Sequence, residues 1–370
     1  MVHRATKPCH GFYSGIKSEI KAMPFIIPAF YFDSMFSYTH GVIVLLTRLS
    51  KIVIKVFLFP ALVLISCVWR LLHRRRVIYG KYEKMPIPVV CIGNVTLGGA
   101  GKTPTVIFLV DYLIKNKIKV HVVSRGYGGK FKDTVLVNPK IHTAFDVGDE
   151  PLLISQHANV WVSKKKKKGV LSAYKAGAEI VLLDDGYQNF SIVKDLNILV
   201  FDAEINLKNE RVFPLGNLRE SPSSAIARAD FLICVGSPIS RKNLQNTFMQ
   251  HHNSKIIEGK FKPNITPVLK KSKLVAFCGI GRPEKFFSML EDLNMEVIDK
   301  IPFPDHHFYS KKQVTKILKI AERNSALVVT TEKDYVKLPA SYKKVIYPIN
   351  IKLHLSKRKK LLSELKSLVF

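Results

Sequence analysis

The hydrophobic pattern changes character twice along the chain. Up to about residue 40, aromatic residues and proline alternate without a clear period, and no cleavable signal-peptide pattern opens the chain. Gly41 to Trp69 is strongly apolar but broken by Arg48, Lys51 and Lys55. Its cleanest run, Val56–Trp69, contains Pro60 and falls short of the roughly 20 residues of a membrane span. Extending back to Ile52 admits one lysine, which can snorkel, and Arg70, Arg74, Arg75 and Arg76 follow at once. Arginines beside an apolar run suit anionic headgroups, and the positive-inside rule then places everything downstream in the cytoplasm. The run reads as a membrane anchor, spanning or lying in the interface; a buried core helix is the other reading.

From Val77 onward, short apolar runs alternate with helical lengths. Strands are predicted at Val89–Ile92, Lys119–Ser124, Glu179–Leu183, Asn197–Phe201, Asp230–Val235, Leu274–Cys278, Leu327–Thr330 and Val345–Ile349. Continuous apolar strands bounded by Gly, Asp or Pro predict an α/β fold, with a mostly parallel sheet covered by helices on both faces. Chemistry then belongs at the carboxyl ends of the strands, where most polar motifs fall. Leu353–Phe370 reads as a basic amphipathic helix, docked on the body or touching a membrane.

Val89–Ile92 runs into Gly93-Asn-Val-Thr96-Leu-Gly98-Gly99-Ala100-Gly101-Lys102-Thr103-Pro104, and Pro104–Leu113 reads as a helix with proline in its first turn. Strand, glycine-rich turn and a helix opened by Gly101-Lys102-Thr103 give the context of a phosphate-binding loop. Glycines let backbone N–H groups approach phosphate oxygens, and the helix start adds partial positive charge. Lys102 can reach the β- and γ-phosphates, and the Thr103 hydroxyl can ligate Mg²⁺. Thr96, Gly98, Gly99, Ala100, Gly101, Lys102, Thr103 and Pro104 are the nucleotide-binding candidates. Thr96 stands where the general pattern has its first glycine, and an ordinary strand-to-helix turn is the competing reading.

Glu179–Leu183 leads into Asp184-Asp185, the pattern of a strand that presents carboxylates to Mg²⁺ beside the phosphates. Asp149-Glu150-Pro151 reads either as a helix start, since acids suit the first turn, or as a general base at Asp149 with Glu150 assisting the metal. Arg125, within Ser124-Arg125-Gly126-Tyr127-Gly128-Gly129, and Arg219, before Glu220, are candidate phosphate contacts; Gln188 joins them as a substrate candidate. A surface ion pair is the alternative for Arg219 and Glu220. In Asp305-His306-His307 the adjacent histidines do not readily face one metal, whereas one histidine paired with a carboxylate can tune a base. Thr330-Thr331-Glu332-Lys333-Asp334, ending the late strand, either touches nucleotide or supports the loop. Lys164–Lys168 is a solvated face or meets an anionic substrate or lipid.

Composition adds limits. The chain has 370 residues, 47% of them hydrophobic, enough for two domains or one large α/β domain. A formal net charge of +30 implies an anionic partner: nucleic acid, acidic lipid or a phosphorylated substrate. Its five cysteines form no C-x-x-C pair, which argues against a zinc site or redox motif and fits a reducing compartment.

In order, the motifs around Gly93–Pro104, Ser124–Gly129, Gly148–Pro151, Asp184–Gln188, Pro214–Glu220, Gly279–Pro283, Asp305-His306 and Thr331–Asp334 closely resemble those of the tetraacyldisaccharide 4'-kinase (lipid A 4'-kinase) family. The resemblance runs from about residue 41 to 350, and in that family the departure at Thr96 is usual. It implies two α/β/α lobes around a cleft, with an apolar N-terminal helix on the cytoplasmic face of the inner membrane. It further implies ATP- and Mg²⁺-dependent phosphorylation of the 4'-hydroxyl of a tetraacyldisaccharide 1-phosphate, a lipid A precursor, with anionic lipid and no nucleic acid as partner. Asp149 matches the family's base and His306 its partner; Lys102 and Asp185 complete the catalytic set, and Thr103, Asp184, Asp185 and Glu150 the metal set. The chain then divides into residues 1–40 of unassigned role, an anchor over 41–76, a nucleotide-binding lobe over 77–212, a second lobe over 213–350 and a basic helix over 351–370. A membrane-associated regulatory or partitioning ATPase and a nucleic-acid-binding NTPase are the competing classes.

Overall fold

The structure is a computed structural model that describes residues 59–205, 211–238, 240 and 255–370. The unassigned segment 1–40 and the apolar stretch 41–58 lie outside the described residues. Chain contacts separate residues 1–63 from Leu64–Phe370, and the sheet described below belongs to the latter unit.

Helix α1 is Phe59–Tyr79. There follow β1 Val89–Gly93, α2 Lys102–Lys115, β2 Val120–Ser124, β3 Val135–Leu136, α3 Ala144–Val147, α4 Asp149–Ile154, β4 Asn159–Val162, α5 Lys166–Lys175, β5 Ile180–Asp184 and β6 Leu196–Asp202. The remainder is α6 Pro222–Ile226, β7 Phe231–Val235, β8 Lys255–Asn264, α7 Pro267–Lys270, β9 Leu274–Cys278, α8 Pro283–Asp292, β10 Val297–Pro302, α9 Lys311–Arg323, β11 Leu327–Thr331, α10 Glu332–Tyr335, β12 Ile346–Leu355 and α11 Lys359–Ser367.

Every residue of β1, β2, β5, β7 and β9 is buried. A strand covered on both faces has no side that tolerates a charge, hence the continuous apolar runs. The strands form one sheet in the order β10-β9-β11-β12-β8-β7-β6-β1-β5-β2-β4-β3. Pairing is parallel from β8 through β7, β6, β1, β5 and β2 to β4, and again from β10 through β9 and β11 to β12. From β1 the chain crosses β5 to reach β2, and from β5 it returns across β1 to β6. The carboxyl end of β1 therefore sits where the winding reverses, which leaves a crevice there.

Strand β12 joins the two parallel runs. Its first half pairs in parallel with β11, and Asn350–Leu355 pairs antiparallel with β8. Ile346 and Ile349 pack into the cores around β9 and β11, while Leu353 and Leu355 enter the core under β1, β5 and β6. The helix expected over Leu353–Phe370 thus begins only at Lys359, because Leu353 and Leu355 alternate inward on a strand. Leu361 and Leu365 of α11 are fully buried in the same core, so that helix docks on the body.

Strands β3, β4, β8 and β10 are absent from the sequence expectation. β10 alternates half-buried and exposed positions, and β8 mixes lysines and glutamate with apolar residues, so neither gives a continuous apolar run. On α1, Leu64, Ile65, Val68, Leu71 and Leu72 are exposed, so it is no buried core helix. Among the described residues no helix is long and apolar enough to cross a membrane.

The strand assignment of the tail makes a sharp prediction. Leu353→Ala, on the buried face of β12, should cost about 2–5 kcal/mol in denaturant unfolding, while His354→Ala on the exposed face stays within about 0.5 kcal/mol. Equal effects would contradict the alternation.

Candidate functional site

The loop after β1 is shaped by glycine and by one buried asparagine. Gly101 caps α2 at φ +89°, and a Cβ there would stand 2.6 Å from the Phe261 ring, so only glycine fits. Over Gly98 and Gly99 the space is open: a Cβ at either would meet nothing within 4 Å. Asn94, fully buried, donates to the carbonyls of Thr96 at 2.9 Å and Gly98 at 3.2 Å and accepts from Lys102 Nζ at 3.0 Å. One side chain therefore fixes both the loop's curvature and its lysine. Lys102, Thr103 and Pro104 form the first turn of α2, and Ala100 is buried beneath it.

Lys102 Nζ lies 3.7 Å from Asp185, which follows β5 at φ +52°. Arg219 Nη1 bonds Asp185 at 2.7 Å and Gln188 Oε1 at 3.2 Å, and Gln188 Nε2 donates to the Asn94 carbonyl and to Glu220. Glu220 is buried and also meets Arg228 and, at 3.0 Å, His73 of α1. Burial works to raise the Asp185 carboxyl, but the charges of Lys102 and Arg219 outweigh it and hold the group below the usual carboxylate range. Asp184 is buried and accepts from Ser124 Oγ at 2.9 Å. Arg125 is exposed just past β2, and no side-chain hydrogen bond ties it to this group. The sequence brought Lys102, Asp185, Gln188 and Arg219 under suspicion separately; the fold brings them together.

A second group assembles beside it. Asp149 opens α4, as acids at a helix start do, and is only 3% exposed. His306, held at φ +58° in the loop after β10, places Nδ1 2.9 Å from Asp149 Oδ2. A non-glycine residue at positive φ is strained, so the surrounding contacts must enforce this placement. One of them is its N–H, which donates to the Gly279 carbonyl after β9. Lys333 from α10 stands 3.0 Å from Glu150, 3.5 Å from Asp305 and 3.8 Å from Asp149. Lys337, its side chain fully covered, lies 3.9 Å from Asp149 and 2.8 Å from Asp334. Asp334 in turn accepts from the Gly279 N–H, Tyr309 Oη and Thr331 Oγ1. Thr331–Asp334 is thus the support of this group, reaching it through Lys333 and Lys337. His307 faces elsewhere, stacked on Phe303 with Nε2 3.2 Å from Gln313.

Burial works to raise the Asp149 carboxyl, but the His306 hydrogen bond and the charges of Lys333 and Lys337 hold it at about 2. The same hydrogen bond raises the His306 imidazole, so the two favour an ion pair. Ligand atoms of Asp149, Glu150 and His306 lie within 4.8 Å of one another, close enough to share a cation, and the Lys333 ammonium already stands there. Asp184 is among the charges acting on Glu150, which links the two groups electrostatically.

A family model described as tetraacyldisaccharide-1-P 4'-kinase matches residues 56–369. The chain belongs to the tetraacyldisaccharide 4'-kinase family. Among its relatives, the tetraacyldisaccharide 4'-kinase of Rhodospirillum rubrum is 40% identical over 292 residues, 78% of this chain and 88% of that protein. That of Rhodospirillum centenum is 39% identical, covering 74% of this chain and 81% of that protein. The crystal structure of the "apo" form of LpxK from Aquifex aeolicus in complex with ATP aligns at TM-score 0.69 and 29% identity, over 85% of this chain and 100% of that one. For this 4'-kinase family member, sequence reasoning quoted Asn94 inside a motif without giving it a role and placed Lys333 in one that either touches nucleotide or supports the loop. Lys337 carried no signal beyond its spacing of one helical turn from Lys333.

Because Asp149 ionises low, its charge stabilises the fold fully above the unfolded value of about 3.9, and that contribution is lost as pH falls toward about 2. His306→Ala removes the strongest interaction lowering it, so the Asp149 midpoint in a carbon-NMR titration should rise by about one unit or more. An unmoved midpoint would show that the lysines alone set it.

Proposed function

We propose that this chain transfers the γ-phosphoryl group of ATP to the 4'-hydroxyl of a tetraacyldisaccharide 1-phosphate in lipid A synthesis. One observation carries the reading: in a member of this family the glycine-rich loop after β1 and the Asp149–His306 pair lie in neighbouring loops, since a Cβ at Gly281 would meet Asp305 at 3.2 Å and Gly99 at 3.9 Å. The complex of the Aquifex aeolicus protein with ATP supports the nucleotide assignment.

The open space over Gly98 and Gly99 is where phosphates would lie, met by loop N–H groups and Lys102. Thr103, Asp184, Asp185 and Glu150 offer hard oxygen donors of the kind Mg²⁺ takes, and the ion when bound neutralises charge on the phosphate oxygens. Asp149 accepts the proton of the 4'-hydroxyl as its oxygen attacks the γ-phosphorus; the bond from that phosphorus to the bridging oxygen breaks and ADP leaves. His306 orients the Asp149 carboxylate. A carboxylate held this low is a weak base, so positioning and charge neutralisation supply most of the rate, with proton transfer adding about 10²–10⁴-fold. Arg125 is exposed and can reach the acceptor, whereas Arg219 is committed to Asp185 and Gln188 to Arg219 and Glu220, on the nucleotide side.

The exposed apolar residues of α1, with Arg70, Arg74, Arg75 and Arg76 beside them, support docking on an anionic cytoplasmic membrane face, where an acylated acceptor resides. An interfacial position suits them, since Trp69 and His73 are tied to the Arg219–Glu220 loop.

The test is transfer of label from γ-labelled ATP to the tetraacyldisaccharide 1-phosphate in detergent micelles. Wild type should label the lipid and Lys102→Ala should not. Asp149→Ala should lower kcat by about 10²–10⁴-fold and leave the lipid KM nearly unchanged. ATP hydrolysis with unlabelled lipid would overturn the assignment, and turnover within about threefold of wild type would remove Asp149 as the base.

A further inference from the structure

The lysine run 164–168 takes no part in the mechanism above, and its members do not share one environment. Lys164, Lys165 and Lys168 are exposed, and Lys167 pairs with Glu83. Lys166 is different: it is only 4% exposed, the first residue of α5. Helix α5 lies tight on β2, since a Cβ at Gly169 would stand 2.6 Å from Val123 Cγ1, and this draws Lys166 over the strand ends. Its ammonium donates to the carbonyl of Val123 at 2.9 Å and to that of Asp184 at 2.5 Å.

Those two carbonyls belong to the penultimate residue of β2 and the last of β5, which are paired neighbours in the sheet. The residues immediately beyond them are Ser124, which bonds the Asp184 carboxylate, and Asp185, whose carboxylate meets Arg219 and Lys102. The Asp184 carbonyl belongs to the peptide that leads into Asp185 at φ +52°, a conformation few non-glycine residues adopt. Fixing that carbonyl fixes the plane of the peptide, and with it the direction in which the Asp185 carboxylate leaves the strand. An ammonium buried at this point also sets a positive charge behind two carboxylates and two converging carbonyls, a grouping that is otherwise costly away from water.

We propose that Lys166 is a positioning residue for the metal–nucleotide site: its buried ammonium ties the ends of β2 and β5 and thereby aims the Asp184–Asp185 carboxylates. The proposal deepens the 4'-kinase reading and rests on it for the identity of the nucleotide. A merely structural lysine would support the sheet without affecting how the site responds to Mg²⁺.

The test compares binding of a fluorescent trinitrophenyl-ATP to the whole chain with and without Mg²⁺, alongside circular-dichroism melting. Lys166→Met should lose about tenfold of the affinity that Mg²⁺ adds while metal-free binding stays within about threefold, and Lys166→Arg, which keeps charge and donors, should recover most of the loss. Should Lys166→Met not fold, Lys166→Gln is read in the same titration, with the same loss expected. A folded variant, Met or Gln, with the Mg²⁺ increment of wild type overturns the proposal, even if its melting temperature falls. No lipid acceptor enters this measurement, so a wild type that binds Mg²⁺–ATP but never labels the lipid would sink the acceptor assignment and leave the role of Lys166 to be decided by its own titration.

Discussion

A carboxylate as buried as Asp149 has to be compensated by opposite charge, because removing an ion from water costs several kcal/mol. The compensation comes from far along the chain: His306 after β10, Lys333 on α10 and Lys337 just beyond it. No local segment can supply these groups to α4. The long strand β12 supplies the frame, pairing with β11 at one end and β8 at the other. Asp334 then ties the ends of β9 and β11 and the loop carrying Tyr309 to Lys337. The electrostatic need at one residue and the topology of the sheet are two sides of one arrangement.

The phosphate side follows a different logic. There the critical contacts are short-range in space around the carboxyl ends of β1 and β5, where the winding of the sheet reverses. Asn94 bonds the loop carbonyls and Lys102 together; Arg219 holds Asp185 from the opposite loop and is itself bonded by Gln188; Glu220 collects Gln188, Arg228 and His73. Through His73 and Trp69 the same loop fastens α1, whose apolar face stays open. A helix with an exposed apolar face and the loop that holds Asp185 are thus parts of one hydrogen-bonded unit. This is a reasonable construction for an enzyme whose acceptor carries acyl chains.

Two of the six non-glycine residues at positive φ among the described residues lie in the candidate site. Asp185 and His306 both sit at positive φ without being glycine. Such conformations persist only where neighbouring contacts over-determine them. For His306 these contacts include the Gly279 carbonyl and the Asp149 carboxylate; for Asp185 they include Arg219 and, one residue earlier, the Lys166 ammonium on the Asp184 carbonyl.

Much of this protein was already determined by its sequence. Fully buried parallel strands have to be written as apolar runs, so β1, β2, β5, β6, β7, β9, β11 and the start of β12 were legible, and so was the glycine-rich turn after β1, where Gly98 and Gly101 take positive φ. The order of the motifs placed the chain among the 4'-kinases. What the sequence could not carry was any element whose signal is not local. β8 and β10 were missed because their mixed faces look like loops; Leu353 and Leu355 read as helix because period two over so few residues is easily mistaken for part of a longer amphipathic pattern. Five consecutive lysines look alike as letters, and only packing of α5 on β2 buries Lys166 and leaves Lys164, Lys165 and Lys168 in water. His306 and His307 are likewise adjacent in sequence; the positive φ at His306 turns one toward Asp149 while the other stacks on Phe303. Residue type fixes what a side chain can do, and only the tertiary structure decides which of several identical side chains is desolvated and brought within reach of its partner.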